Sequence, residues 1–147
     1  MKNDTNVVYS SCDYEYKFNK KKYYELINNC DVVVFAHKPN KKNIINYKSY
    51  GWIKKGKKNF ITKIECKNKV SNKLNNDLVI VGSFAFKNKK IFINSYKQMI
   101  TQKHKVNNEY YMDTLIKYSI KLNYKVKYQL VKNFNSFGTP EEITDDK

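Results

Sequence analysis

Residues 78–86 read Leu78-Val79-Ile80-Val81-Gly82-Ser83-Phe84-Ala85-Phe86, and this stretch decides the fold class. Its β-branched and aromatic side chains favour extended backbone, and a continuous apolar run of this length is typical of a strand near the centre of a sheet. Gly82 interrupts the run. A glycine inside a strand often marks a bulge or the close approach of a ligand or another backbone, and both interpretations stay open here.

Further strands and helices are predicted on both sides of this stretch. Apolar or alternating patterns predict strands over 7–9, 31–37, 47–54, 59–67 and 124–131. Apolar residues at helical spacing predict helices over 20–29, 88–103 and 111–122, with polar loops over 39–46 and 67–76. The mixed order, without an internal repeat or a linker, predicts one α/β domain over residues 1–147. We expect a mixed, mostly parallel sheet flanked by helices.

The last residues carry a helix signal of their own. Thr139-Pro140-Glu141-Glu142 has Thr at the N-cap, Pro at the first helical position and Glu at the third, which is a capping box. Only residues 143–147 follow. Either a single helical turn forms here, or a longer helix is announced and cut short.

The net charge of +16 is built from lysine alone, because the 29 basic residues include no arginine. Lys, Asn, Ile and Tyr have A/T-rich codons, so a biased genome accounts for much of this composition. Arginine is the usual residue for bidentate contacts to bases and phosphates. The lysines are also spread along nearly the whole chain rather than clustered. Composition therefore argues against a nucleic-acid-binding function.

Other classes of protein are excluded by simple patterns. The polar N-terminus lacks the apolar segment of a signal peptide, and the longest apolar run, residues 32–36, is far too short for a membrane helix. Three widely spaced cysteines without a C-x-x-C pair favour reduced thiols in a cytoplasmic protein and disfavour a zinc site. With only His37 and His104, a histidine-based triad or metal site is not expected.

Four separated stretches carry a combined pattern: Val7-Val8-Tyr9-Ser10-Ser11-Cys12-Asp13-Tyr14; Tyr50-Gly51-Trp52 followed by Ile64-Glu65-Cys66-Lys67; Val81-Gly82-Ser83-Phe84-Ala85-Phe86; and Val106-Asn107-Asn108-Glu109-Tyr110-Tyr111-Met112-Asp113 followed by Phe137-Gly138-Thr139-Pro140-Glu141-Glu142. In order and spacing, this pattern resembles the sugar-phosphate nucleotidylyltransferases, in particular their capsule- and surface-sugar members. The corresponding family motifs are a strand ending in a metal-binding aspartate, "y-G-v … i-x-E-K-P", "v-x-G-x-Y-x-F" and "n-x-E-Y-Y-x-D … W-x-D-x-G-T-P-E-D-L".

The resemblance implies a nucleotide-diphospho-sugar transferase-like fold and a reaction. A nucleotidyl group would pass from a nucleoside triphosphate to a sugar phosphate, with Mg²⁺ bound and pyrophosphate released. Asp13 would hold the metal, since hard cations take carboxylate oxygens. Gly51, Lys67, Gly82 and Glu109 would hold the acceptor, with Lys67 on its phosphate as a second catalytic group.

Each of these residues also has a plainer interpretation. Asp13 suits a turn, Lys67 a solvated surface and Gly51 a bulge. Glu109 suits the first turn of a helix that starts near Tyr110, where a carboxylate interacts favourably with the helix dipole. Asp113 is expected to be structural for the same reason.

The sequence departs from the family in places that bear on activity. The Gly-rich G-x-G-T-R loop that cradles the nucleotide is absent, and the whole chain has four glycines. The resemblance therefore covers the second half of a catalytic domain. Ser136, beside Asn135, stands where the family has a second metal-binding aspartate. Cys66 separates Glu65 from Lys67, and the proline of E-K-P is missing.

Three hypotheses follow from these observations. In the first, the chain takes part in nucleotidyl transfer, with the missing loop supplied by another polypeptide. In the second, it is a non-catalytic relative that binds sugar phosphates or nucleotide sugars, or the product of a split gene. In the third, which ranks last, it is a lysine-rich nucleic-acid-binding module whose affinity falls steeply with salt.

Overall fold

The structure, a computed structural model, describes residues 5–138. In chain order its elements are β1 Val7–Ser10, β2 Tyr14–Lys17, α1 Lys20–Asn29, β3 Val32–His37, α2 Lys41–Ile45, β4 Gly51–Lys55, β5 Ile61–Cys66, β6 Leu78–Phe86, α3 Lys89–Thr101, α4 Met112–Lys121, β7 Val126–Leu130 and β8 Lys132–Ser136. The predicted strands and the three longer predicted helices are all present. The capping box at 139–142 lies outside the described residues.

Strand β6 is the centre of the main sheet, as its sequence predicts. The sheet order is β5-β4-β6-β3-β7, and β1 also pairs with β6. Eight of the nine residues of β6 are buried, with Gly82 the partly exposed one. The continuous apolar run thus marks a strand that is covered on both faces.

The sheet is mixed, as expected, but the expected parallel character is present only in part. Among the described strands only β3 and β7 pair in parallel, and the other ladders are antiparallel. The reason lies partly in the connection from β6 to β7, which contains two helices. Asn94 in α3 contacts Tyr124, after α4, whereas His104, after α3, contacts Tyr118 inside α4, so α3 and α4 run in opposite directions. A helical hairpin returns the chain antiparallel, whereas a single crossover helix would return it parallel.

Helix α2 was not expected, because 39–46 looked like a polar loop. Asn40 caps it: its side chain accepts from the Asn43 backbone N–H, and the Asn43 side chain accepts from the Asn40 backbone N–H. The second sheet, β2 with β8, was also not predicted. Both strands are short and half-exposed, so neither carries a strong apolar pattern.

Two apolar layers enclose the main sheet. Alternate residues of β3 face opposite layers: Val32 and Val34 pack with α3 and α4, while Val33 and Phe35 pack with α1. A third cluster forms around Trp52, which is fully buried and donates from Nε1 to the Tyr47 carbonyl at 2.9 Å. None of the helices in the described part of the chain is long and apolar enough to cross a bilayer.

Candidate functional site

Strands β1 and β4 meet end to end along one edge of β6, beside its middle residues. On one edge, β3 pairs along β6 from Val79 to Phe86. On the other edge, β4 pairs with Leu78 and Val79, and β1 pairs with residues 83–86. Because both run antiparallel to β6, the carboxyl end of β1 and the amino end of β4 converge at residues 80–82. The motifs containing Asp13, Gly51 and Gly82 are thereby brought to one place.

Gly82 has a backbone conformation that favours glycine, with φ at +80°. A Cβ at this position would lie 2.9 Å from the Tyr14 ring and 3.3 Å from Ser11 Cβ. The Gly82 carbonyl accepts from the Ser11 backbone N–H at 3.1 Å, and the β3–β6 register shifts opposite this part of β6. The bulge interpretation therefore describes Gly82, and the bulge seats the end of β1.

A pocket of about 480 Å³ opens at this convergence. Its walls come from the end of β1, the middle of β6 and the segment that leads into α4. The lining residues are Tyr9, Ser10, Ser11, Gly82, Phe84, Tyr110, Tyr111, Met112 and Asp113. The pocket thus combines an aromatic wall with hydroxyl and carboxylate groups, as small-molecule sites in proteins commonly do.

Position 51 requires a glycine because the Asp113 carboxylate occupies the space that a side chain would need. A Cβ at this position would lie 2.1 Å from Asp113 Oδ2 and 3.0 Å from Ile80 Cδ1. Cys66 is the cross-strand partner of Gly51, and its thiol hydrogen-bonds to the same carboxylate. Gly51 therefore lets the Asp113 side chain pack closely against the sheet at the amino end of β4, where Asp113 also lines the pocket.

The Asp113 side chain is partly buried where it borders the pocket. Burial raises its pKa to about 6, against opposing effects of the Cys66 hydrogen bond and the Lys67 charge. Burial likewise raises the pKa of the Cys66 thiol to about 12, assisted by the negative charge of Asp113. At neutral pH this cluster therefore contains a neutral thiol and a carboxylate that is close to taking up a proton.

Lys67 is fixed beside the pocket by an aromatic side chain. Its Nζ lies 4.8 Å from the centre of the Tyr111 ring, and a hydrogen bond to Tyr111 raises the Lys67 pKa. The Tyr111 hydroxyl in turn donates to Glu109 Oε2. Lys67 and Glu109, predicted separately from sequence, are joined through Tyr111, which lines the pocket.

The position of Glu109 depends on a tight turn before α4. Val106 and Glu109 exchange two backbone hydrogen bonds, of 2.9 and 3.0 Å. The intervening Asn107 and Asn108 both have positive φ, which asparagine tolerates better than most residues. Glu109 is exposed, and it lies before α4 rather than in its first turn. The acid in that first turn is Asp113.

Asp13 lies just behind the pocket wall. The Ser11 hydroxyl donates to Asp13 Oδ1, and the Asp13 carbonyl accepts from the Phe137 backbone N–H at 2.9 Å. The β2–β8 ladder pairs Tyr14 with Ser136. Consequently Asp13 adjoins the segment in which the resemblance places a second metal-binding aspartate, and Ser136 is the residue there.

Asp13 supplies one carboxylate at the place where the resemblance implies a metal ligand. Within residues 5–138 there is no group of three His, Cys, Asp or Glu side chains close enough to hold a metal ion. Mg²⁺ commonly takes one or two carboxylates and completes its shell with water and substrate phosphate. A single carboxylate at Asp13 is compatible with that mode and not with a cage made entirely of protein ligands.

Asp113 was expected to be structural, and sequence reasoning did not place it in the pocket. Glu65, the acid that precedes Lys67 in sequence, forms ion pairs with Lys117 at 3.0 Å and Lys63 at 3.4 Å instead. The carboxylates that interact with Lys67 are Asp113, from α4, whose pKa the Lys67 charge lowers, and Glu109, whose charge helps to raise the Lys67 pKa. The available signal was the E-Y-Y-x-D segment, which places this acid in the first turn of a helix.

Similarity to solved structures supports the fold. The nucleoside-diphosphate-sugar pyrophosphorylase of Vibrio cholerae RC9 matches with a TM-score of 0.73 and 17% identity, over 95% of this chain and 55% of that one. HddC of Yersinia pseudotuberculosis matches with a TM-score of 0.57 and 14% identity, over 95% and 53%. HddC complexed with GMP-PN matches with a TM-score of 0.55.

The chain spans about half the length of these structural neighbours. No protein-family model matches the sequence, and no curated protein matches it. At these identities the likeness concerns the fold. The chain has a mixed α/β, nucleotidyltransferase-like fold, of the kind found in the pyrophosphorylase and in HddC.

Proposed function

We propose that the pocket over the middle of β6 binds the phosphorylated acceptor of a nucleotidyl transfer, a sugar phosphate or a similar small molecule. The observation that carries this proposal is a pocket lined by Gly82 and Tyr111, with Lys67 Nζ 4.8 Å from the centre of the Tyr111 ring, in a nucleotidyltransferase-like fold. In this reaction an acceptor phosphate oxygen bonds to the α-phosphorus of a nucleoside triphosphate. The bond from that phosphorus to the bridging oxygen breaks, and pyrophosphate leaves.

Lys67 is the group proposed to bind the acceptor phosphate. A lysine ammonium acts as a point charge on phosphate, and its contacts with Tyr111 limit the conformational freedom that binding would otherwise remove. Glu109, held by Tyr111, is proposed to accept hydrogen bonds from acceptor hydroxyls. Tyr9 and Tyr110 supply apolar wall area for the body of the acceptor.

Asp13 is proposed to hold Mg²⁺, which would neutralise charge on the triphosphate when bound. The Ser11 hydroxyl that donates to Asp13 Oδ1 also orients this carboxylate. Ser11 lines the pocket, so the proposed metal ligand and the proposed acceptor site are linked by one hydrogen bond.

The residues that cradle the nucleotide are proposed to lie outside these 147, in the same polypeptide or in a second one. Phosphate cradles use glycine-rich turns, and the four glycines here, Gly51, Gly56, Gly82 and Gly138, form no such loop. The neighbouring structures have nearly twice the length that the match covers. The GMP-PN complex of HddC is in keeping with a nucleotide site in this fold.

A second function, acceptor binding without catalysis, is favoured by Ser136. A hydroxyl replaces the carboxylate that the resemblance places beside Asp13, which weakens any second metal contact. In this alternative the pocket binds a sugar phosphate or a nucleotide sugar, and no pyrophosphate is released. A regulatory subunit or the product of a split gene fits the same description.

The decisive experiment measures pyrophosphate. The chain is incubated with Mg²⁺, nucleoside triphosphates and sugar 1-phosphates, alone and with the protein encoded immediately upstream. Release that disappears in Asp13→Asn and Lys67→Met, and persists in Lys69→Met, supports transfer. Saturable sugar-phosphate binding without release in either mixture supports the non-catalytic alternative, and absence of both contradicts the proposal.

A further inference from the structure

The wall of the pocket carries a negative charge, Asp113, near Lys67, the group proposed to bind the acceptor phosphate. Asp113 lines the pocket, and Lys67 is close enough for its charge to lower the Asp113 pKa. We propose that Asp113 is a specificity-determining residue, which takes up a proton when a doubly charged anion binds at Lys67. This inference rests on the proposed function, because it requires an acceptor phosphate in the pocket.

Asp113 has little room to move away from an incoming anion. One carboxylate oxygen occupies the space left by the missing side chain of Gly51, with Ile80 on the same side. The Cys66 thiol hydrogen-bonds to the carboxylate from the neighbouring strand, and the residue is anchored in the first turn of α4. Repulsion from a bound anion is therefore relieved by protonation more readily than by rotation of the side chain.

The titratable groups nearest to Asp113 are Cys66 and Lys67, and two further carboxylates lie beyond them. Cys66 stays neutral, with a pKa of about 12, and Lys67 stays charged because its pKa is raised. Glu109 lies across Tyr111, and Asp13 lies behind Ser11. Both histidines lie elsewhere, His37 stacked on Phe134 and His104 beside Tyr118.

The proton uptake has a defined direction. In the free protein the Asp113 pKa is about 6, so most molecules carry an ionised carboxylate at pH 7.5. A nearby anion disfavours that charge and raises the pKa further. The affinity for the anion therefore rises as the pH falls from 8 to 5. A rise of one unit in the bound state corresponds to a gain of about tenfold over this range. The pocket thus disfavours a dianion at high pH, where Asp113 is ionised and a proton must be taken up from solution.

The test measures the Asp113 pKa directly in the unmodified chain. Inorganic sulfate is the probe, because its charge does not change between pH 5 and 8, whereas a phosphate monoester would titrate in this range. The side-chain carboxyl ¹³C shift of Asp113 is followed against pH with and without saturating sulfate, and amide shifts at Lys67 and Gly82 report binding. We expect the Asp113 pKa to rise by at least half a unit with sulfate bound.

Variants separate this inference from the proposed function. In Asp113→Asn the sulfate affinity should lose most of its pH dependence, whereas Glu65→Gln, which alters an acid outside the pocket, should keep it. Sulfate binding at Lys67 with an unchanged Asp113 pKa overturns the inference and leaves the proposed function standing. If neither sulfate nor glucose 1-phosphate moves the Lys67 and Gly82 signals, both proposals are wrong.

Discussion

The Asp113 carboxylate of α4 occupies the space that a side chain on Gly51 of β4 would need, since a Cβ there would lie 2.1 Å from Asp113 Oδ2. The absence of a side chain at Gly51 thereby lets helix α4 pack closely against strand β4 inside the sheet. The same contact delivers the carboxylate to the pocket. Packing and site chemistry consequently depend on the same pair of residues.

Replacement of Gly51 by alanine should destabilise the fold by about 2–4 kcal/mol, because the added methyl group displaces a carboxylate that is held by Cys66. Urea unfolding gives the measurement. Gly56→Ala is the matched control: its Cβ would lie 2.7 Å from Thr62 Cγ2 and 3.2 Å from the Phe60 carbonyl oxygen, but Thr62 is exposed and no carboxylate is displaced, so the loss should be smaller. In an Asp113→Ala background the cost of Gly51→Ala should fall by at least about 1 kcal/mol. Equal costs in both backgrounds would contradict the contact.

Replacement of Gly82 by alanine should cost at least about 1 kcal/mol, because an L-residue at φ +80° is strained and its Cβ contacts Tyr14. The amide signals of Ser10 and Ser11 should also move, since Ser11 donates to the Gly82 carbonyl. Thermal unfolding and ¹H–¹⁵N spectra measure the two effects. A variant as stable as the parent, with unmoved Ser11, would show that β6 does not need the bulge.

Loss of the Tyr111 hydroxyl should weaken acceptor binding about three- to tenfold with little effect on stability. Tyr111→Phe keeps the ring under Lys67 and removes the hydrogen bonds to Lys67 and Glu109. Calorimetric titration with glucose 1-phosphate provides the comparison. Tyr110→Phe is the control, because Tyr110 also lines the pocket but contacts Lys105. If Tyr110→Phe lost as much affinity as Tyr111→Phe, the Lys67–Tyr111 pairing would not determine binding.

Asp113 should make the protein less stable as the pH rises. Its folded pKa, about 6, lies above the ordinary value of 3.8, so the folded state holds more protons between these values. The resulting stability is complete below pH 4 and lost as the pH passes 6, an effect on the order of 2–3 kcal/mol at most. Relative to the parent, Asp113→Asn should therefore gain stability from pH 4 to 7 in urea unfolding.

The His37 pKa is lowered by burial, so its effect has the opposite sign: the stability that it contributes is present at higher pH and lost on acidification. The parent and the Asp113→Asn variant both contain His37. Its effect therefore cancels in the difference between their free energies of unfolding. A difference that stays flat from pH 4 to 7 would mean that Asp113 has an ordinary pKa.

The strands with continuous apolar runs could be predicted because a strand that is buried on both faces needs apolar side chains at consecutive positions. Residues 78–86 and 31–37 are examples. Strand direction could not be predicted, because it depends on whether helices pack as single crossovers or as a hairpin. Helix α2 was not predicted because its capping box is made of two asparagines, which are also common in loops.

The candidate site was predictable in part for a similar reason. The order of the motifs predicted Gly51, Lys67, Gly82 and Glu109 as site residues. In the structure Gly82 lines the pocket, and the other three contact or adjoin residues that line it. The role of Asp113 depends on a contact between α4 and β4, residues that are far apart in sequence. No local pattern reports such a contact, although the glycine that makes it possible is visible.

The most direct test is a map of where a sugar phosphate binds. Glucose 1-phosphate is titrated into ¹⁵N-labelled chain, with glucose as the control for its neutral part. Binding through Lys67 predicts saturable shifts at Ser11, Gly82, Lys67 and Tyr111, absent with glucose, abolished in Lys67→Met and retained in Lys69→Met. Shifts confined to the separate 350 Å³ cavity beside Lys69 and Lys73, or no shifts at all, would contradict an acceptor site over the middle of β6.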